Sequence, residues 1–229
     1  MPTLPRPTRP SLFQALLCLV LLGGGCANSS PVDGKKLNSV VTLKDLFTSA
    51  FLVPTDDGAV LVDAGFRADR IESAVVAAGF SPADITDVLL THGHGDHTVA
   101  LPRFPNARVR ALEAERELLE EEGVEMTDPL AAGEVVLGGV TFEIFSTPGH
   151  TPGNAMVLVD RVLMMGDSAI ANQDGTLAPT AERYSDDPDQ LIASVRSVAA
   201  VLSERTDVID WLAPAHSDAL PGIDPLLAF

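Results

Sequence analysis

The stretch from Thr91 to His97 constrains this chain more than any other part of its sequence. It reads Thr-His-Gly-His-Gly-Asp-His and directly follows the apolar run at 88–90. Glycines between the polar residues let the backbone turn tightly, so that the side chains can converge. Neutral imidazoles together with a carboxylate are typical ligands of a borderline-soft divalent metal ion. We therefore interpret the stretch as a metal-binding turn and not as a polar surface turn.

The remaining histidines support this interpretation. The chain has five histidines, and the two outside the stretch are His150 and His216. His150 lies in Thr-Pro-Gly-His-Thr-Pro-Gly at 147–153, and His216 lies in Pro-Ala-His-Ser-Asp at 214–218. Both segments have the composition of loops. No histidine is left over for an ordinary role in the core or on the surface.

Together with Asp167, which follows the apolar run at 162–165, these motifs resemble those of the metallo-β-lactamase-fold hydrolases. The shared features are His-x-His-x-Asp-His, a later Gly-His, an Asp after a buried strand and a C-terminal His. The resemblance extends from about Phe51 to His216. It implies an α/β chain folded as a four-layer αββα sandwich. One departure is Thr-Val-Ala at 98–100, where many members have x-Gly-Gly; we expect it to alter packing beside the site and leave the ligands intact.

The resemblance also implies how the metal ligands divide between two ions. The residues in the matching positions are His92, His94 and His150 for one metal, Asp96, His97 and His216 for a second, and Asp167 as the bridge. Nitrogen and oxygen ligands without sulfur suit zinc and also admit iron or manganese. In such a centre a metal-bridging hydroxide attacks the substrate carbonyl, and Asp96 is a candidate to move the proton. Asp63 matches the family's Val-Asp-x-Gly turn, which implies that it supports a ligand from behind.

The substrate class follows from the same resemblance. Lactam-cleaving members generally carry Cys or Ser where this chain has Asp167, so we expect a small ester, lactone or thioester. A glyoxalase II is disfavoured because only residues 217–229 follow His216, too few for its C-terminal helical domain. We expect the polar segment 169–185 to face the substrate. Its Tyr184 is a candidate substrate-binding residue, as in the acyl-homoserine lactonases.

Two other functions remain open from the sequence. One is a mononuclear iron enzyme of the same fold, similar to a persulfide dioxygenase, which iron content and oxygen uptake would reveal. The other is a non-catalytic zinc-binding lipoprotein, which would exchange metal reversibly and show no turnover.

The N-terminus resembles a bacterial lipoprotein signal. Two arginines precede an apolar run at 12–22, and three glycines then lead to Cys26. This layout predicts a signal peptide at 1–25, a flexible tether at 26–37 and the folded domain at 38–229. It implies export and anchoring to a bacterial membrane through a lipid on Cys26. Cleavage leaves one cysteine, so no internal disulfide is expected.

The charge of the chain bears on its partners. The formal net charge is −17, and loss of residues 1–25, which contain two arginines and no acidic residue, changes it to −19. A strongly acidic surface repels phosphate backbones, so we expect a small-molecule substrate and no nucleic acid.

Apolar periodicity predicts the elements that carry the motifs. A hairpin is expected at 49–62 around Asp57-Gly58, a helix at 67–78 and a strand at 87–90 that delivers the metal motif. The glutamate-rich segment 112–122 is predicted to be a helix with a solvated acidic face and no metal role. A further helix is expected after Asp187-Pro188. Helices between strands indicate a layered α/β fold.

Overall fold

Two mixed sheets form the centre of the fold. The computed structural model describes residues 34–205 and 208–229. The first sheet has the order β1-β2-β3-β4-β5-β6. Its strands are β1 Lys36–Leu37, β2 Val40–Asp45, β3 Thr48–Thr55, β4 Gly58–Val62, β5 Ile85–Leu89 and β6 Arg108–Arg110. Strands β1 to β4 pair antiparallel, whereas β4, β5 and β6 run parallel.

The second sheet has the order β14-β13-β10-β9-β8-β7. Its strands are β7 Gly133–Leu137, β8 Val140–Ser146, β9 Ala155–Val159, β10 Val162–Gly166, β13 Trp211–Pro214 and β14 Leu220–Pro221. Only the β10–β13 pair of this sheet is parallel. Between β10 and β13 the chain also forms a small two-stranded sheet from β11 Ala169–Ala171 and β12 Leu177–Pro179.

Five α-helices lie in the described part of the chain. They are α1 Ala68–Ala77, α2 Gly95–Thr98, α3 Arg116–Glu121, α4 Pro188–Ser203 and α5 Asp224–Leu227. The predicted start of α4 is confirmed, since the Asp187 carboxylate accepts a hydrogen bond from the Gln190 amide and Pro188 occupies the first turn. Within these ranges no helix is long and apolar enough to cross a membrane.

Three apolar clusters show that the elements stack in four layers. One cluster joins the facing sides of the two sheets, including Phe51 and Phe142. A second packs the outer face of the first sheet against α1 through Ile71 and Val75. A third packs the outer face of the second sheet against α4. The predicted αββα sandwich is confirmed. Burial of apolar surface on both faces of each sheet explains the continuous apolar runs of β4 and β10.

The parallel strand pairs determine where the polar loops meet. Asp63 follows β4 and the 91–97 stretch follows β5, while Asp167 follows β10 and His216 follows β13. Parallel neighbours end at the same edge of a sheet, and such edges are the usual place for a site in α/β folds. The two sheets face each other, so both edges contribute to one cluster.

The structure corrects two boundaries drawn from the sequence. Strand β1 lies within the predicted tether, and Leu37 is fully buried against the inter-sheet core. The predicted acidic helix at 112–122 is a 3-10 turn at Glu113–Glu115 followed by the short helix α3. Its predicted solvated face is wrong for Glu115, which is fully buried.

The predicted signal peptide, Cys26 and the predicted tether as far as residue 33 lie outside the described residues. Export and lipid anchoring therefore stay predictions from the sequence.

Candidate metal centre

Three histidines bring their ring nitrogens together at the edge of the sandwich. His150 Nε2 lies 3.2 Å from His92 Nε2 and 3.0 Å from His94 Nδ1. The three rings meet edge to face, with interplanar angles of 83° to 88°. Three nitrogens that bind one tetrahedral zinc ion at its usual bond length lie about 3.3 Å apart. In the three-His group, as we call His92, His94 and His150, both distances from His150 are therefore close to those that such an ion requires, and all three nitrogens lie within 4.8 Å of one another.

Burial keeps the three-His group in the neutral form that metals bind. It lowers the pKa of His92 well below its usual value, and neighbouring imidazoles add to the effect. Burial likewise lowers the pKa of His94, and it lowers that of His150 to about 3. At neutral pH these rings are uncharged, and their lone pairs can be directed at a cation.

A second group forms beside the first. His216 Nε2 lies 3.3 Å from Asp96 Oδ2, and His97 Nε2 lies 3.7 Å from the same oxygen. We call Asp96, His97 and His216 the Asp-His-His group. His97 is fully buried, whereas the side chains of Asp96 and His216 are 23% and 16% exposed. The second group therefore reaches solvent on one side.

Asp167 lies between the two groups and faces both. Its Oδ1 is 3.0 Å from His216 Nε2 and 3.3 Å from His97 Nε2. Its Oδ2 is 3.1 Å from His216 Nε2, 3.5 Å from His150 Nε2 and 3.9 Å from His92 Nε2. The Asp167 carboxylate thus lies close to both groups, in the position that the sequence resemblance implies for a bridging residue.

The charges in the Asp-His-His group differ from those in the three-His group. Burial opposes protonation of His216, but the Asp167 and Asp96 carboxylates prevail and raise its pKa to about 10. Burial likewise opposes protonation of His97, yet Asp63 and the other carboxylates raise its pKa well above the usual value. Although burial disfavours the Asp96 carboxylate, the positive rings hold its pKa at about 2. Without metal, the protonated rings of His97 and His216 therefore offset part of the charge of these carboxylates.

Two buried atoms test whether metal ions fit. Within residues 34–205 and 208–229, His97 Nε2 and Asp167 Oδ1 make no hydrogen bond of good geometry, although they lie 3.3 Å apart. Buried polar atoms are nearly always satisfied, so an unsatisfied pair at one place needs an explanation. Both are nitrogen or oxygen donors of the kind that bind zinc, iron or manganese. The residues present fit two divalent ions.

Asp63 supports His97 from behind, in the position predicted for it. Its carboxylate accepts hydrogen bonds from the Thr91 amide and hydroxyl, and Oδ2 lies 2.8 Å from His97 Nδ1. Because this contact uses Nδ1 of His97, the ring presents its other nitrogen, Nε2, to Asp96 and His216. His216 is oriented in a similar way, since its Nδ1 lies 2.9 Å from the carbonyl oxygen of Phe47, whose ring stacks on the imidazole.

We expect Asp63→Asn to weaken metal binding. The carboxamide would point an N–H group at either His97 or the Thr91 donors, because it has a single acceptor oxygen. Loss of such a supporting contact typically lowers metal affinity by about 10-fold to 100-fold. Competition with a fluorescent chelator measures the change, and Asp57→Asn in the exposed β3–β4 turn is the control. Equal affinities in the two variants would contradict the supporting role.

The His150 loop rests on the start of helix α4. The His150 carbonyl accepts from the Asp186 amide, and the Gly149 carbonyl accepts from the Asp187 amide. Gly149 has φ +132°, and a Cβ there would lie 2.2 Å from the Leu191 backbone nitrogen. Only glycine permits so close an approach to α4.

Sequence reasoning missed Glu115 as a residue of this region. Its carboxylate accepts hydrogen bonds from the amides of Gly93 and Gly153, which flank the histidines of the three-His group. Its neighbours in sequence, Glu113 and Glu117, are exposed. A single sequence gives no sign that one glutamate of the run is turned inward.

Tyr184 ends a 3-10 turn at Glu182–Tyr184 and is half-buried. Its hydroxyl is buried without a hydrogen-bond partner in the described part of the chain, and the Arg183 guanidinium lies 4.6 Å from the centre of its ring. A role in substrate binding stays a prediction.

A family model and several curated relatives match this chain. The family model of the metallo-beta-lactamase superfamily matches residues 43–216. Metallo-beta-lactamase domain-containing protein 1 of Rattus norvegicus is 27% identical over 219 residues, covering 86% of this chain and 84% of the relative. Hydroxyacylglutathione hydrolase of Anaeromyxobacter dehalogenans is 29% identical over 188 residues, covering 81% of this chain and 66% of the relative. In several other curated relatives the match spans 54% to 65% of their length.

Solved structures show the same fold. A B3 metallo-beta-lactamase with an active-site glutamic acid superimposes with a TM-score of 0.69 at 18% identity, covering 96% of this chain and 91% of that chain. A metallo-beta-lactamase from Cronobacter sakazakii gives a TM-score of 0.63 at 25% identity and covers 81% of each chain.

The fold and the two ligand groups define the class of protein as a metallo-β-lactamase-fold protein with a candidate His/Asp metal centre. This chain belongs to the metallo-beta-lactamase superfamily.

Proposed function

We propose that this protein is a dinuclear metal-dependent hydrolase, with zinc as the preferred metal, that acts on a small ester, lactone or thioester. The observation that carries the proposal is the position of Asp167. Its two oxygens face the two ligand groups at 3.0 to 3.9 Å. An acidic residue there fits a two-metal hydrolase and disfavours lactam cleavage. The similarity to hydroxyacylglutathione hydrolases, whose substrate is a thioester, supports the same substrate class.

When bound, divalent ions polarise a substrate carbonyl and lower the pKa of water from about 15.7 toward about 7. The chain supplies the metal ligands and a proton carrier. The three-His group, the Asp-His-His group and Asp167 hold and orient the ions. Asp96 is the proposed proton carrier, because its carboxylate is ionised at neutral pH and partly exposed. The residues of the centre with solvent exposure are His94, Asp96 and His216, so substrate is proposed to enter from their side.

Metal analysis of the purified protein, alongside a panel of one small ester, one lactone and one thioester, tests the proposal. About two zinc ions per chain and turnover that stops on chelation and returns with metal would support it. One iron per chain with oxygen uptake and no hydrolysis would favour the dioxygenase-like alternative instead. Bound zinc without any turnover would favour the non-catalytic alternative.

A further inference from the structure

Glu115 is a buried carboxylate that joins two loops. It ends the 3-10 turn before α3 and has no solvent exposure. Its Oε1 accepts a hydrogen bond of 2.9 Å from the Gly93 amide. Its Oε2 accepts bonds of 2.9 Å from the Thr151 hydroxyl and 2.7 Å from the Gly153 amide. Each oxygen thus serves a different loop.

These two loops carry the entire three-His group. Gly93 lies between His92 and His94, and Thr151 directly follows His150. A backbone bond from Ala155 to Thr91 also connects the two segments, but it lies on the strand side of the histidines. Glu115 therefore connects the loops at the level of the ligands themselves.

The loops are shaped to receive this carboxylate. A Cβ on Gly153 would lie 2.5 Å from the Glu115 amide nitrogen and 2.6 Å from Oε2. A Cβ on Gly93 would lie 3.1 Å from the side chains of Leu118 and Leu119. Both glycines thus allow the loops to approach the Glu115 segment closely.

Glu115 also has an unusual set of partners for a buried acid. All three donors are neutral, and no ion pair within the described residues includes it. Burying a carboxylate without a cation is unfavourable, so a residue that only filled space would be better replaced by an apolar or amide side chain. A carboxylate is needed where both oxygens must accept hydrogen bonds.

We propose that Glu115 is a positioning residue that sets the spacing between His150 and the His92–His94 pair, and thereby the metal affinity of the three-His group. The inference rests on the proposed metal centre. Glu115 belongs to neither ligand group, and its hydrogen bonds within the described residues go to Gly93, Thr151 and Gly153, none of which is part of the Asp-His-His group. Substitution of Glu115 should therefore change metal affinity at the three-His group and leave the Asp-His-His group unchanged.

Glu115→Gln is the test variant. The carboxamide keeps the size of the side chain but has a single acceptor oxygen, so its N–H₂ group must face donors of one loop. Glu113→Gln is the matched control, because Glu113 is exposed on the same turn and pairs with Arg116. Each change is made in two full-length backgrounds: His216→Ala, which leaves the three-His group, and His150→Ala, which leaves the Asp-His-His group.

Cobalt(II) titration of the metal-free proteins supplies the readout, because visible absorption reports both affinity and ligand geometry. We expect Glu115→Gln to weaken cobalt binding by about 10-fold to 100-fold and to change the spectrum in the His216→Ala background only. Glu113→Gln should change neither. Equal weakening at both sites, or no change at the three-His group, would overturn the proposal.

Two further outcomes keep the test decisive. If Glu115→Gln does not fold, Thr151→Val takes its place. That variant removes one of the three donors and should weaken cobalt binding at the three-His group by a smaller factor. If it had no effect, the proposal would be overturned.

If the wild-type chain binds one metal and hydrolyses nothing, the proposed function fails, while the comparison at the three-His group still decides the role of Glu115. Absence of cobalt binding in the wild type would overturn both.

Discussion

Asp167→Ala should lower kcat for the proposed hydrolysis by at least about 10³-fold, since metal-assisted charge stabilisation contributes several kcal/mol to such a reaction. The substitution removes the one carboxylate that faces both ligand groups. It also leaves His97 and His216 without the oxygen that lies 3.0 to 3.3 Å from their ring nitrogens. Bound metal should fall below two ions per chain, and the measurements are steady-state kinetics and elemental analysis.

Asp174→Ala is the control for this prediction. Asp174 is an exposed carboxylate seven positions later that accepts hydrogen bonds from the Thr176 amide and hydroxyl. It should keep full activity and metal content. Circular dichroism establishes that both variants are folded. A folded Asp167→Ala enzyme with more than a tenth of wild-type activity would contradict a bridging role.

Metal affinity should depend on pH at the Asp-His-His group and hardly at all at the three-His group. Metal ions compete with protons for the same nitrogen lone pairs, so a ring that is protonated in the metal-free protein weakens binding until the pH passes its pKa. His216 has a pKa of about 10, and that of His97 is well above its usual value. Each displaced proton should make affinity at the Asp-His-His group rise by about tenfold per pH unit between pH 6 and 9.

The three-His group should bind metal almost independently of pH over the same range. Burial places the pKa of His150 at about 3 and lowers those of His92 and His94, so these rings carry no proton to displace. Chelator competition from pH 6 to 9, in the His216→Ala and His150→Ala backgrounds, separates the two groups. If metal affinity rose with pH equally steeply at both groups, His97 and His216 would not be held protonated in the metal-free protein. At pH 6 the three-His group should accordingly fill first.

Much of the site was predictable because its residues are close in sequence or occur in rare contexts. The 91–97 stretch places three histidines and an aspartate in a turn, and both remaining histidines lie in loops. Asp63 and Asp167 each follow an apolar strand, and the resemblance to the family implied their roles at the sheet edge. The structure brings all seven predicted ligands together.

Glu115 shows where such reasoning fails. Its segment has the composition of a solvated acidic helix, and burying a carboxylate without a cation is normally unfavourable. The structure offsets this cost with donors from residues 22 and 38 positions away. Contacts at that separation leave no periodic signal in the sequence. The same reason explains the missed strand β1, a two-residue strand that exists because Leu37 packs into the inter-sheet core.

The amino-acid sequence by itself predicted the candidate ligands, through motifs that resemble those of a known family, and the layered α/β class, through apolar runs and turns that act over short distances. Only the tertiary structure decided that the Asp167 carboxylate lies between the two groups, which histidines are charged and that Glu115 ties the His loops together. These depend on burial and on distances of a few ångströms between segments far apart in the chain. Electrostatic free energies change steeply over such distances in a buried site, so they follow from packing rather than from composition.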